Sequence, residues 1–574
     1  MSPGRCKAAP SEKLFEQQPE GQKLASSKAR REEFLTKGVA MERLQQSLEA
    51  LQLHSLSNSA QAVTVLTGLL TVLLFSVRIF VPTRAARWLR KVPGPPSYPV
   101  VGNLIEIFSK GYHECHKEWL SMYGSVYKYV MGDTLLVVSD PDVVQQVGIR
   151  MFKTFHDRQM PGFLDENQAG KALVFSKGPY WSGVRNAVLP LFHTAKLQHF
   201  GRTMHECAEL LVTRLEKAAA NKEQLNLLEW AGEMTMDVLG SSAFGVTFNS
   251  QVGEKTEGLN LTKAVSGNLA SMAELRFSTL LAILCPPLRK PAQWLMSLIP
   301  GTGDNVGKKR NVYMMRESKK IIQARRKEAD VAETRHDFLS MLTQARDKTT
   351  GEPLSDASIQ AIVYEFLGAG TDTTANTLSF AVYSLTNNPA AEEKMRREIR
   401  AFYEKLEKEG VKDTAFRPTY DELAQFPYVE QVVQETLRLY PTGAVLSRQA
   451  SEDCQVAGIH LPKGVNVLIP VYAMHHNPEV FPDPEEFRPE RFDPAEVAGR
   501  HPYAYIPFGL GPRMCLGHRF AMEEAKLALI RLYKTLTFSV VNEKILRPDG
   551  KLDLQVGIVL KPRNGMWVVP QVQR

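Results

Sequence analysis

The run Phe508-Gly509-Leu510-Gly511-Pro512-Arg513-Met514-Cys515-Leu516-Gly517 constrains this chain more than any other segment. Helical periodicity follows it directly, from His518 to Lys534, so Cys515 stands at a helix N-terminus inside a glycine-rich turn. Backbone N–H groups and the positive end of the helix dipole converge there, which favours a thiolate over a thiol. Gly509, Gly511 and Gly517 allow a tight turn and leave no side chain to hold off a flat ligand. Phe508 can shield the sulfur from water, and Arg513 supplies a fixed charge suited to a carboxylate. A lone cysteine in such a turn is usually a small structural hydrophobe. The full pattern Phe-x-x-Gly-x-Arg-x-Cys-x-Gly asks for a bound group instead.

Three further constellations precede it. Ala369-Gly370-Thr371-Asp372-Thr373-Thr374 lies inside a helical pattern running from about Asp356 to Asn387 and stopped by Pro389. Glycine in mid-helix is unfavourable by roughly 0.5–1 kcal/mol. A helix that breaks its own propensity at its centre suggests function; close packing against a neighbouring helix is the plain alternative. Glu435 and Arg438 are three apart on a helix that Pro441 ends, and Phe487-Arg488-Pro489-Glu490-Arg491-Phe492 offers Arg491 downstream. Alone, such pairs are ordinary surface contacts. Trp181 and Arg185 share one face of a third helix.

Helical periodicity dominates the globular part: Leu197 to Ala220, Arg310 to Lys327 and Ala390 to Glu409 read as amphipathic helices. Val126 to Val130 and Leu135 to Val138 flank Gly132-Asp133 as a hairpin, and Val465 to Val471 reads as a further strand. The expected fold is mainly α with a small β part, preceded by one transmembrane helix. No charge occurs from Ala60 to Val77, a stretch just long enough to span a bilayer. Arg78, Arg84, Arg87, Arg90 and Lys91 follow it, which places the rest of the chain on the cytosolic side. The organisation expected is a polar, disordered extension at 1–59, a signal anchor at 60–81, a stiff Pro/Gly-rich linker at 82–102 and a catalytic domain at 103–574. The extension carries Glu12, Glu16, Glu20, Glu32, Glu33, Glu42 and Glu49, too acidic for a transit peptide. Leu275 to Ile299 is rich in apolar residues and reads either as core or as a surface dipping into the bilayer.

A net charge of +8 suits an acidic partner or an anionic membrane but does not argue for nucleic acid. Cys6, Cys115, Cys207, Cys285, Cys454 and Cys515 form no CxxC pair, so neither a disulfide framework nor a zinc site is expected.

Taken in chain order from Trp181 to Cys515, these motifs resemble the cytochrome P450 family, over roughly residues 93–574. The resemblance implies the P450 fold and a monooxygenase built on haem b (iron protoporphyrin IX). Cys515 is then the axial iron ligand, whose electron release favours O–O cleavage. Arg185 and Arg513, then Arg448 and Trp181, are implied to hold the haem propionates. Glu435, Arg438 and Arg491 become a buried triad that locks the loop under the haem. The run through Gly370 lies over the haem, leaves room for dioxygen and unwinds locally to admit water. Thr373 hydrogen-bonds the activated dioxygen and Asp372 relays protons to it.

Electrons are implied to come from NADPH through a separate NADPH-cytochrome P450 reductase, with cytochrome b5 as a further donor. The implied setting is the endoplasmic reticulum membrane, with a chloroplast membrane as the alternative. The substrate is implied to be small and lipophilic. Val147 to Phe152 and Ala243 to Val246 look like segments of the plant carlactone oxidase group and, more distantly, of the animal drug-metabolising and thromboxane synthase branch. That likeness points to an isoprenoid or carotenoid-derived substrate. Two other readings remain: a P450-fold isomerase or dehydratase acting on a ready-made peroxide, and a non-catalytic haem-thiolate sensor with a closed distal pocket. Neither needs the Asp372–Thr373 pair.

Overall fold

A computed structural model describes residues 84–573, except 100, 160–169, 194–196, 254–255, 272–275, 277, 280, 282–288, 328–336, 347–349 and 413. The apolar run from Ala60 to Val77 lies outside the described residues. Among the described residues, no helix is long and apolar enough to cross a membrane. Helices form most of the described residues, with four small sheets among them.

Six helices position the site: α1 (Gly178–Val188), α2 (Gly201–Ala220), α3 (Leu227–Leu239), α4 (Asp356–Thr386), α5 (Pro427–Leu439) and α6 (His518–Thr535). Helix α4 runs through the middle. Ser355 caps it by accepting the Ser358 N–H, and Pro389 at the start of the next helix prevents continuation. Its apolar residues divide into two sets. Ile359, Ile362, Val363 and Leu367 pack with Val184 of α1 and with Met236 and Leu239 of α3. Ala375, Leu378, Ala381 and Leu385 pack with Leu211 of α2, Val432 of α5 and Leu529 of α6. Neither cluster includes residues 368–374, the stretch singled out in the sequence. The helix stays α-helical throughout, so the local unwinding expected there is not found. The carbonyl of Thr371 accepts the hydroxyl of Thr235 from α3 at 3.0 Å.

The hairpin forms as read. Strands β1 (Val126–Met131) and β2 (Asp133–Val138) pair antiparallel, with Met131 opposite Asp133 across Gly132 at φ +76°. A short strand β3 (Leu225–Asn226) precedes α3. Strands β4 (Leu446–Gln449) and β5 (Asn466–Ile469) complete the first sheet, in the order β1-β2-β5-β4. Near the C-terminus, β7 (Trp567–Val572) lies between β3 and β6 (Leu536–Val540).

Two expectations need revision. Within 82–102, residues Arg84–Lys91 are helical, and Ala85, Leu89 and Val92 are buried against β2 and its neighbours. Lys128 donates to the Leu89 and Arg90 carbonyls, so this stretch belongs to the folded body rather than to a free spacer. In the described part of Leu275 to Ile299, a helix from Arg289 to Leu298 leaves Trp294, Leu295 and Leu298 exposed, Trp294 at 63%, which excludes ordinary core packing for them.

The Glu435–Arg438–Arg491 trio assembles as expected, fully buried. Arg438 donates to both Glu435 oxygens at 2.7 and 2.8 Å, and Arg491 Nε lies 3.3 Å from Glu435 Oε1. Arg438 also donates to the carbonyls of His475, Pro484 and Glu486, tying α5 to the segments beside it. Removing the one anion strands two buried cations. Glu435→Ala is therefore expected to lose about 3–5 kcal/mol, read as a drop in the urea midpoint; an unchanged midpoint would contradict this assignment.

Candidate active site

The Cys515 loop is shaped by two glycines. Gly509 and Gly511 adopt φ of +78° and +65°, where side chains are strained. A Cβ on Gly511 would also stand 2.3 Å from the Gly148 carbonyl oxygen. The loop closes when Cys515 N–H donates to the Phe508 carbonyl at 2.9 Å. Gly517 differs from expectation: its φ is −86°, and an added Cβ would meet only Phe192 at 3.7 Å. Its contribution is the N–H that hydrogen-bonds the Cys515 sulfur. Helix α6 starts at His518, so the cysteine does precede a helix N-terminus.

Cys515 has accessible surface, yet burial pushes its thiol pKa up. The two observations agree only if the sulfur borders a space inside the protein. The depressed pKa expected from the helix end is not realised. Burial outweighs the lowering by the Gly517 N–H, Arg185 and Arg158, so a bound cation is needed to hold this sulfur as an anion.

Helix α4 borders an internal space in the same way. Ala369 is exposed in the middle of an otherwise buried helix. Thr373 is half-buried, and its hydroxyl donates to the Ala369 carbonyl at 2.7 Å. Gly370 does not face this space. A Cβ there would lie 3.0 Å from Leu239 of α3, so its small size serves helix packing. The Asp372 carboxyl is buried and hydrogen-bonded with Ser266. Burial pushes its pKa up to about 6, against the Lys561 charge.

Four guanidiniums converge between loop and helix. Arg513 lies 3.9 Å and Arg185 5.8 Å from the Trp181 ring centre. Arg185 donates to the Met514 carbonyl at 2.9 Å. Arg448, on β4, is fully buried and donates only to Ser447 O; its Nε and Nη2 have no partner among the described residues, nor has the Trp181 indole N–H. Burial, then Arg158 and Arg513, drive the Arg448 pKa well below its usual value. Burial and neighbouring arginines likewise bring Arg513 to about 9 and Arg185 to about 10. Arg513, expected to meet a propionate, donates to the carbonyls of His156, Leu173, Val174 and Ser176.

Sequence reasoning missed Arg158, Glu365 and Glu524. Arg158 donates to Arg513 O at 3.1 Å and interacts electrostatically with both Glu365 and Cys515, which ties α4 and the loop to one space. No spacing marks it, since it is a loop arginine. Glu365 was visible as a lone carboxylate in the apolar run Ile362 to Leu367. Glu524, on α6, is buried beside Thr374, and burial pushes its carboxyl up to about 8.

Buried cations with unused donors are costly unless an anion meets them. Here they surround a sulfur and a helix face left bare, a donor set that fits a planar group with two carboxylates and a metal. Haem is such a group. The two segments likened to carlactone oxidases are scaffold here: Gly148 abuts Leu510 and Gly511, and Gly245, at φ +60°, abuts Arg325. They report the fold, not a substrate.

Comparison with known proteins agrees. The family model for Cytochrome P450 matches residues 92–569. Cytochrome P450 3A29 of Sus scrofa is 31% identical over 491 residues, covering 83% of this chain and 92% of that protein. Cytochrome P450 3A11 of Mus musculus is 31% identical over 493 residues, covering 83% and 92%. Thromboxane-A synthase of Rattus norvegicus is 30% identical over 546 residues, covering 88% and 97%. With a fold, a buried cationic cradle and a family match that agree along the same stretch, the chain belongs to the cytochrome P450 family, a haem b monooxygenase whose electrons come from NADPH through a reductase.

Proposed function

We propose that this enzyme hydroxylates or otherwise oxidises a small lipophilic molecule at the space between Cys515 and α4. When bound there, haem supplies the activation of dioxygen. Cys515 is the iron ligand, and the Gly517 N–H moderates its charge. Arg448, Arg158, Arg185 and the Trp181 indole receive the two carboxylates, while Arg513 holds their surroundings rigid. The observation that carries this reading is Arg448, a fully buried cation with open donors in a cluster of its own charge.

Asp372 and Thr373 divide the proton work. Asp372, buried with a pKa raised to about 6, can gain a proton near neutrality and release it. Thr373, on the bare face of α4, orients the accepting atom by exchanging its Ala369 hydrogen bond for one into the cavity. Residues 60–81 anchor the chain in the endoplasmic reticulum membrane, and NADPH-cytochrome P450 reductase and cytochrome b5 dock from the cytosolic side. The exposed apolar side chains of Trp294, Leu295 and Leu298 support a membrane-facing surface. A carotenoid-derived substrate rests only on short scaffold segments; failure of carlactone to shift the haem spectrum removes it. The alternative, rearrangement of a ready-made peroxide, draws on the likeness to Thromboxane-A synthase and requires neither NADPH nor a proton donor.

Turnover is expected to require NADPH and dioxygen together; product formed from a peroxide alone would favour the alternative. The reduced, carbon monoxide-treated protein is expected to show the red-shifted thiolate Soret band, lost in Cys515→Ala; a band surviving that change would rule Cys515 out. A proton donor with a pKa of about 6 works only while protonated. Product formed per NADPH is thus expected to fall as pH rises through and above 6. Asp372→Asn is expected to abolish that dependence and slow turnover by roughly 10²-fold. A wild-type profile flat from pH 5.5 to 8 would contradict the role.

A further inference from the structure

Glu365 is a half-buried carboxylate in the apolar first half of α4, four residues before Ala369 and so on the same side of the helix. Both its oxygens accept the Val174 N–H, at 3.0 and 3.1 Å. That N–H belongs to the peptide group whose other end is the Leu173 carbonyl. This carbonyl accepts Arg513 Nη1 at 3.3 Å. One residue on, the Val174 carbonyl accepts Arg513 Nη1 at 3.3 Å and Arg158 Nη1 at 3.4 Å. Arg158 in turn donates to the Arg513 carbonyl at 3.1 Å. A negative charge on the distal helix is thereby joined to Arg513 through the 173–174 peptide, and to Arg158 through the Val174 carbonyl of the next peptide, at the end of the cavity where carboxylates belong. Hydrogen bonds in series polarise one another, so the chain is stronger than its separate members.

We propose that Glu365 is a positioning residue for the haem: by holding the Val174 N–H it fixes the Leu173 and Val174 carbonyls, and through them the guanidiniums of Arg513 and Arg158, and offsets their charge. This rests on the reading that the arginine cluster and Cys515 hold haem. An uncharged residue would suffice if α4 needed only to pack, and placing a carboxylate in an apolar run is unfavourable without a partner. Its counter-charges lie beyond the backbone of Leu173 and Val174 rather than in direct contact. The acceptor geometry, more than the bare charge, therefore holds the segment from Leu173 to Ser176. Burial keeps the Glu365 pKa up at about 7, so the carboxylate is mostly ionised at pH 8.5.

The test uses the full-length holoenzyme at pH 8.5, with haem transfer to excess apomyoglobin as the readout for wild type, Glu365→Gln and Glu365→Leu. Glutamine keeps an oxygen to accept the Val174 N–H; leucine does not. Haem release is expected to rise roughly tenfold or more in Glu365→Leu and to stay within about threefold of wild type in Glu365→Gln. The reduction potential of Glu365→Gln is expected to become more positive, because an anion near two cations has been removed. A carbon monoxide band of thiolate type in the wild type and Glu365→Gln keeps the haem-thiolate reading separate, since its absence from the wild type would refute that reading instead. Wild-type release from Glu365→Leu, release from Glu365→Gln as fast as from Glu365→Leu, or an unmoved potential would each overturn the proposal. If Glu365→Leu does not fold, the potential of Glu365→Gln decides.

Discussion

Like charges brought together out of water repel strongly, and the molecule is arranged around one such group. Burial lowers the proton affinity of Arg158, Arg185, Arg448 and Arg513, and the Arg158 charge lowers it further in the other three. Within the protein, Glu365, Asp157 and the Cys515 sulfur are the opposing groups. Backbone carbonyls make up part of the deficit and accept from all three nitrogens of Arg513, but Arg448 still has open donors. Such an arrangement is stable only with anionic oxygens added. The fold thus carries a standing preference for a dianionic cofactor, independent of any metal bond.

The rest of the architecture holds that region open on one side and closed on the other. Helix α4 joins an apolar cluster at each end, and residues 368–374 belong to neither. Within that stretch Thr371, Asp372 and Thr374 are buried, while Ala369 and Thr373 keep accessible surface towards the space. Opposite it, the Cys515 loop is pinned by the approach of Gly511 to Gly148 and by the Phe508 carbonyl. The Glu435–Arg438–Arg491 trio is a different use of charge. Its single anion serves both cations by direct contact, so it can lock neighbouring segments with nothing bound.

The sequence made the loop, the helix and the trio legible because each depends on short spacing. Cys515, Gly511 and Arg513 fall within five residues, Glu435 and Arg438 within one helical turn, and their roles follow from local backbone geometry. The 126–138 hairpin, the strand inside Val465 to Val471 and the extent of α4 and α6 were legible for the same reason, while the strands near the C-terminus were not. What spacing could not show is what a side chain faces. Gly370 sits in the expected motif yet turns towards Leu239, and Arg513 spends its donors on carbonyls contributed from residues 156–176. Arg158 and Glu365 reach the site through pairings more than 150 residues apart in sequence, which no periodicity encodes. The segment from Arg84 to Val92 was misread because its prolines and glycines lie just downstream; Ala85, Leu89 and Val92 had the spacing of a buried face.

The central claim is that the cationic cluster and Cys515 clasp opposite parts of one haem. An anomalous-scattering map at the iron edge, from crystals of the holoprotein, tests this directly. The account predicts a single iron bonded to the Cys515 sulfur, with the porphyrin carboxylates at Arg448, Arg158 and the Trp181 indole. Iron bound to another side chain, or carboxylates directed away from Arg448, would contradict it.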